Sequence, residues 1–359
     1  MSSVAEFVHG KTFEEVKSAL GDISLDVKED GDLYMISFNK NSDFTGKFMR
    51  EANGIIFEKE TNKLVHHCFD KAYDGVWDNN FFKNCILDGD TYNCENFEDL
   101  DYAVEHYTEG SLIRVYWYNG VWNVGSSRKI NATFSHWGGE TSLKELFYEA
   151  MKVENIDLNT LDKNYCYSYI MQHPKLKICM DVSAIFCMMI NKVNLQTFEE
   201  TRNTENFKID KKISELVLNA DRIDKNYIVY LADGTRIKMI SEQYKYAQSL
   251  LGNHPSIKWS YLEAIQNGKD HQLKAHHRSS NDVFEMIDKR IHDTVCMIHL
   301  AYMTKHVKKE ETQVYHKHER SLTQLHAIYR KHREPITYDK VMELVVGLKL
   351  KTLHWILNL

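Results

Sequence analysis

Cysteine is sparse and unpatterned in this chain. Cys68, Cys85, Cys94, Cys166, Cys179, Cys187 and Cys296 are odd in number and include no Cys-x-x-Cys pair. That distribution argues against a disulfide framework or a zinc ribbon and suits a reducing compartment. No apolar segment follows Met1, so no secretory signal is expected, and the Asn131-Ala132-Thr133 sequon then has no consequence. Long hydrophobic runs are missing as well. The most apolar stretch, Val341 to Leu357, is broken by Glu343, Lys349, Lys351 and His354, which predicts a buried amphipathic helix and not a membrane span. There is no internal repeat and no low-complexity linker. An intracellular, cytoplasmic protein with no membrane partner is expected.

What is present is enough apolar material for a sizeable core: 43% of 359 residues are hydrophobic and 12% aromatic, a length comfortable for two domains. The net charge of −6 hides an asymmetry. From Asn253 onward there are 17 Lys and Arg against 12 Asp and Glu, a balance of +5, which leaves −11 for the rest. Coulomb repulsion makes an acidic part a poor holder of a phosphate backbone, so RNA is expected, if anywhere, on the basic carboxy-terminal third. The other partner that fits is a protein docked on the apolar helical faces ending at Trp355.

Residues from about Asp32 to Leu250 read as strands with short helices. Leu33 to Phe38, Gly54 to Glu58 and Lys63 to Phe69 have strand composition. Ser111 to Tyr118 and Val121 to Gly125 flank Asn119-Gly120, a pair that supplies the positive φ angles of a two-residue hairpin turn. Leu231 to Ile237 reads as a second hairpin, and Ser142 to Val153 as a helix. After Leu251 the signal turns helical. Ser280 and Asn281 cap a segment whose Phe284, Ile287, Ile291, Val295, Ile298 and Tyr302 recur at helical spacing, Pro335 ends the next helix, and Thr337 caps the last. The expected domains are 1–250 and 251–359.

Five segments carry a further signal, in this order: Ala52-Asn53-Gly54-Ile55-Ile56-Phe57-Glu58, Phe69-Asp70-Lys71-Ala72-Tyr73-Asp74, Tyr107-Thr108-Glu109-Gly110-Ser111-Leu112, the strand from Tyr165 to Ile178, and Tyr227 to Ser241. Together they resemble the motifs of phage-type ATP-dependent RNA ligases, members of the covalent nucleotidyltransferase superfamily, whose signature reads Lys-x-Asp-Gly-Ser-Leu. The resemblance implies an α+β fold, with a nucleotidyltransferase core of ATP-grasp-like antiparallel sheets followed by an all-α carboxy-terminal domain. It also implies ATP and Mg as the candidate cofactors, and nucleotide contacts from Lys71, Glu109, Gly110 and Lys238.

The departures from the family pattern fall on the chemistry. Tyr107 stands where the nucleophilic lysine belongs, Asn53 replaces an arginine, Lys225-Asn226 replaces the Glu-Gly that holds nucleotide and metal, and Ile240 replaces a second lysine. Phosphoryl transfer depends on positioning and charge neutralisation, so losing the nucleophile, a carboxylate and a cation together removes the reaction while the apolar frame stays. The expectation is a degenerate, non-transferring protein that acts as a nucleic-acid or protein binding component. Residual nucleotide binding through Lys71, Glu109 and Lys238 should be weak or absent, because Lys225 and Ile240 replace the groups that hold metal and phosphate. The competing readings are an active ligase using Lys71, His106 or Tyr107 as an unorthodox nucleophile, and an ATP sensor that does not react.

Two other groupings of polar side chains stand out. Arg114, Arg128 and Lys129, with Ser126 and Ser127, form a candidate phosphate strip; on a strand Arg128 and Lys129 point to opposite faces, so at most one joins a shared site. His292, His299 and His306, spaced by seven, lie on one helical stripe but about 10.5 Å apart along it, too far to share a metal.

Overall fold

Period-two alternation of apolar residues builds a stack of two sheets. The computed structural model describes residues 2–21, 23–44, 46–76, 85–87, 90–92, 101–176, 178, 184–203, 208–209, 211, 213–217, 223–232, 234–254, 256–311 and 313–359. Strands Leu25–Asp30, Leu33–Phe38, Asn53–Glu58 and Leu64–His66 form a first antiparallel sheet in chain order. Tyr34, Ile36, Ile55 and Phe57 bury one face of it against helices Ser3–Val8 and Phe13–Gly21. Leu33, Met35 and Ile56, one residue out of phase, pack the other face against Tyr116, Cys166 and Val193 of a second sheet. A slip of one residue would exchange these faces, so the alternation fixes the register.

The second sheet is antiparallel throughout, in the order Val121–Ser126, Ser111–Tyr118, Tyr165–Gln172, Phe186–Asn194, Glu200–Arg202. Its outer face, with Ile113, Val115, Tyr167, Tyr169 and Met171, packs under Leu146, Phe147 and Ala150 of helix Leu143–Val153. That helix starts where expected because Ser142 and Glu145 form a reciprocal capping box. The expected hairpin is present, with Asn119 at φ 51° and Gly120 at φ 77°.

A third sheet runs Lys208–Ile209, Tyr102–His106, Tyr227–Leu231, Arg236–Ile240, Tyr73–Val76, and its last pair is parallel. Val104, Val229, Leu231, Ile237 and Met239 bury one face with Ile213 and Leu216 of helix Ile213–Val217. The α+β class with antiparallel sheets followed by helices is therefore observed. The strand expected over Lys63 to Phe69 is shorter, Leu64–His66. Cys94, Lys177, Cys179 and Asp233 lie outside the described residues.

The chain divides into two units, Met1–Tyr246 and Ala247–Leu359. The second is helical: Ile257–Gln266, Asp270–His276, Asn281–Tyr302, His316–His332, Tyr338–Val346 and Leu350–Ile356. Phe284, Ile287, Ile291, Val295, Ile298 and Tyr302 are buried as their spacing requires. Ser280 precedes that helix without making a side-chain capping bond, whereas the Thr337 hydroxyl accepts from the Lys340 amide as expected. The stretch from Val341 to Leu357 is not one helix; it breaks at Gly347 and resumes at Leu350. No helix among the described residues is long and apolar enough to cross a membrane.

Candidate functional site

The face of the third sheet opposite its core carries Glu105, Ile228, Tyr230, Arg236 and Lys238. Across from it stand Leu112, Ile170, Ile190 and Asn191 of the second sheet, and the two walls enclose a cavity of about 270 Å³. Strand alternation explains the placement, since Arg236 and Lys238 are two residues apart and so share a face. Of the residues singled out in the sequence, Lys71, Tyr107 and Gly110 line the same cavity as Lys238, together with Asn53 and His106. Glu109 is not in the lining; its carbonyl accepts from Gln172 Nε2 at 2.7 Å. Gly110 permits the signature to press on the neighbouring strand, because a Cβ there would lie 2.6 Å from the Met171 carbonyl oxygen.

Tyr107 sits where the signature places a nucleophile, its amide donating to the Asn226 carbonyl at 2.8 Å. The Lys238 ammonium lies over its ring, 4.2 Å from the centroid, and Tyr244 meets the ring edge-on. The Lys71 ammonium is paired with Asp74 at 2.7 Å and lies 4.5 Å from the Phe44 ring centroid. His106 is held below its ordinary pKa by burial and by Lys225, so its imidazole is kept neutral. Lys225 and Asn226 do not line the cavity. The Asn226 side chain instead ties two strands together, donating to the Ile223 carbonyl and accepting from the Ser241 amide.

Two cations that went unremarked in the sequence dominate the cavity. Arg202 stacks on Tyr230, 3.9 Å from the ring centroid, and approaches Glu105 at 3.6 Å. Arg236 stacks on Phe69 at 3.8 Å and donates to the Asp70 carbonyl. Arg236 was legible in principle, two residues before Lys238 on one strand. Arg202 was not, because a distant strand brings it here. Burial raises the Glu105 carboxyl above its ordinary pKa, against the pull of Arg202. Three buried polar atoms in this lining make no hydrogen bond: Glu105 Oε1, Asn191 Oδ1 and Arg236 Nε. Burying such atoms without a hydrogen bond is costly.

Arg114 does not join Arg128 and Lys129 in a phosphate strip. It is fully buried between the stacked sheets and donates to the Ser126 and Asn53 carbonyls, whereas Arg128 and Lys129 are exposed in the turn after the hairpin. The histidine stripe is likewise dispersed. His292 bonds to the Tyr338 hydroxyl, His299 to the Ile336 carbonyl, and His306, in a π-helical turn, stacks on His326. Among the described residues no three His, Cys, Asp or Glu side chains converge to hold a metal.

No protein-family model matches the chain. It is similar to the immediate-early protein ICP-46 homolog of Invertebrate iridescent virus 6, 24% identical over 275 residues, which cover 66% of this chain and 61% of that protein. Among solved structures it resembles an archaeal ATP-dependent RNA ligase at 12% identity and a TM-score of 0.43, covering 73% of this chain and 68% of that one. It also resembles a putative ATP-dependent DNA ligase from Aquifex aeolicus at 12% identity and a TM-score of 0.35, covering 71% and 66%. The chain thus spans less than two thirds of the curated relative and of the DNA ligase.

Proposed function

We propose that this chain is a ligase-like nucleotidyltransferase-fold protein that holds a nucleotide without becoming covalently attached to it, and serves as a binding component. The observation that carries this reading is the Tyr107–Lys238 pair. A phenol ring occupies the nucleophile position, and the Lys238 amine is laid over that ring's face, 4.2 Å from its centroid. The attack of an amine on phosphorus then has no amine at the signature position to carry it out.

Around this dead centre the cavity retains binding chemistry. Lys71, Lys238, Arg202 and Arg236 outnumber Glu105 and Glu200, which suits a polyphosphate, and the rings of Phe69, Tyr107 and Tyr230 brace three of those cations. The lining fits a metal less well. Glu200 accepts from Asn191 at 3.0 Å and Glu105 faces Arg202, so a divalent ion accompanying ATP would be held through phosphate oxygens and not by a protein cage.

The test is incubation of the full chain with α-labelled ATP or GTP and Mg²⁺ or Mn²⁺, followed by denaturing electrophoresis and, separately, calorimetry. The expected outcome is no label on the denatured protein and heat of binding that is lost in Lys238→Ala. A label mapping to Lys71, His106 or Tyr107 overturns the non-transferring reading. Silence in the calorimeter overturns nucleotide binding.

A further inference from the structure

We infer that His292 and Cys296, with Tyr338 behind the imidazole, form a chelate for a single thiophilic divalent cation of the zinc class on the helical unit. Helix Asn281–Tyr302 buries Ile291, Val295 and Ile298 and leaves His292 and Cys296 exposed. Residues four apart on a helix are neighbours, so the two side chains can share one ion. His292 Nε2 and Cys296 Sγ stand 3.6 Å apart. Zinc holds sulfur at about 2.3 Å and imidazole nitrogen at about 2.0–2.1 Å, and a tetrahedral angle between those bonds sets the two donors about 3.6 Å from each other. The pair already has the spacing that coordination requires.

Two features beyond that spacing point to a metal. First, the far side of the imidazole is braced. His292 Nδ1 bonds to the Tyr338 hydroxyl at 2.8 Å, with the two ring centroids 5.7 Å apart. With the thiol donating to Nε2, Nδ1 carries the ring hydrogen and donates it to Tyr338, which leaves the Nε2 lone pair on the sulfur side. Metal-bound histidines are held in this way, the second nitrogen donating to an oxygen that fixes tautomer and ring orientation. Tyr338 is fixed in turn, because Thr337 caps its helix and the Ile336 carbonyl lies 3.1 Å from His299 Nε2. Second, the surroundings suit a cation. Asp293 and Asp339 adjoin His292 and Tyr338, both are exposed, and neither forms an ion pair among the described residues, whereas Lys340 is committed to Glu334 at 2.6 Å. The donor set selects the ion: a thiolate with an imidazole favours zinc over magnesium or calcium. Cys68, Cys166 and Cys187 are buried, whereas Cys296 is open to solvent. Binding exchanges the thiol proton for the cation, so that the S–H bond breaks, a sulfur–metal bond forms and the proton leaves to water. Two protein donors leave the other positions to water, which makes the ion exchangeable.

The experiment titrates the reduced, metal-free full chain with Co²⁺, whose thiolate charge-transfer absorption reports a sulfur–metal bond, and then adds Zn²⁺ or Mg²⁺. A thiolate band that saturates at one Co²⁺ per chain is expected, bleached by Zn²⁺ and untouched by Mg²⁺. Cys296→Ser and, beside it, Cys296→Ala should each abolish the band, so that a failure of one to fold leaves the other to decide. Tyr338→Phe should keep the band and weaken affinity about ten-fold, the loss that follows removal of an outer partner; a merely structural tyrosine would leave affinity unchanged. His292→Gln should weaken affinity further than Tyr338→Phe does. His332→Gln, an exposed histidine on another helix, should change nothing. The proposal is overturned if excess Co²⁺ gives no band, if the band survives in a folded Cys296 variant, if Zn²⁺ does not displace the cobalt, or if His292→Gln or Tyr338→Phe binds as tightly as the parent. None of these outcomes depends on whether the cavity holds a nucleotide.

Discussion

The interface between the stacked sheets and the cavity beside it both enclose arginine, and they treat it in opposite ways. Arg114 is caged: two backbone carbonyls receive its guanidinium, and a Cβ on Gly54 would lie 2.4 Å from its Nη2. Arg202 and Arg236 are instead stacked on rings, each with one further polar partner, Glu105 for Arg202 and the Asp70 carbonyl for Arg236, and both line the cavity. A caged cation joins two sheets, whereas a cation stacked on a ring at a cavity wall is placed for a ligand. The same contrast separates His66, fully buried with Nε2 against the Tyr167 carbonyl, from His106 at the cavity wall.

The comparison breaks most readily at Gly54. A side chain there meets both the guanidinium and a φ of +78°, so Gly54→Ala should cost about 2–4 kcal/mol in urea melts. Arg114→Met should cost a similar amount, about 2–5 kcal/mol, because it strands two buried carbonyls. Neither should alter nucleotide affinity in the variant that still folds; a selective loss of affinity in Arg114→Met would place Arg114 in the site.

Arg202→Ala tests the other side. Its expected effect is about a ten-fold loss in nucleotide affinity by calorimetry, the value of one charge-assisted hydrogen bond, with stability moved by no more than about 0.5 kcal/mol. The reverse pattern would erase the distinction. Tyr107→Lys should still yield no nucleotidyl-protein on a denaturing gel, since Lys225 and Ile240 leave other roles unfilled.

The histidines sharpen the contrast through pH. Burial holds His66 well below the ordinary 6.5 and lowers His67 as well, so both stay neutral in the fold while the unfolded chain protonates them. More protons are bound by the unfolded state below that pH, so stability should fall as pH drops below about 6.5, with a slope approaching about 1.4 kcal/mol per pH unit from His66 and a further contribution of the same sign from His67. Asp70 acts in the opposite direction. Burial and Glu51 raise its carboxyl to about 6, so the fold takes up that proton first and gains stability as pH falls from about 6 toward the unfolded value. Urea melts at several pH values should show a net loss toward pH 5 that His66→Gln flattens; an unchanged slope would mean His66 is hydrated. The smallest effect is a control outside both regions: Ser142→Ala should cost about 1 kcal/mol through the lost capping box.

Several elements could be read directly from residue order. The Asn119-Gly120 hairpin, the Ser142-capped helix and the stripe from Phe284 to Tyr302 depend on turn chemistry, capping and periodicity, all of which are local. The strand after Lys63 was overread because strand composition does not say where pairing partners stop. The break at Gly347 was missed because apolar residues continue on both sides of it.

The sequence by itself determined the alternation that makes the sheets, the helical spacing of the carboxy-terminal unit, and the substitution of Tyr107 at a ligase-like signature. Those depend on residue type and on neighbours a few positions away. Only the tertiary structure decided that Arg114 is a strut and Arg202 a cavity wall, that Asn226 ties strands, and that Tyr338 stands behind His292. The reason is that burial and partnership are set by residues distant in the chain, and an arginine carries no mark of which surface will close over it.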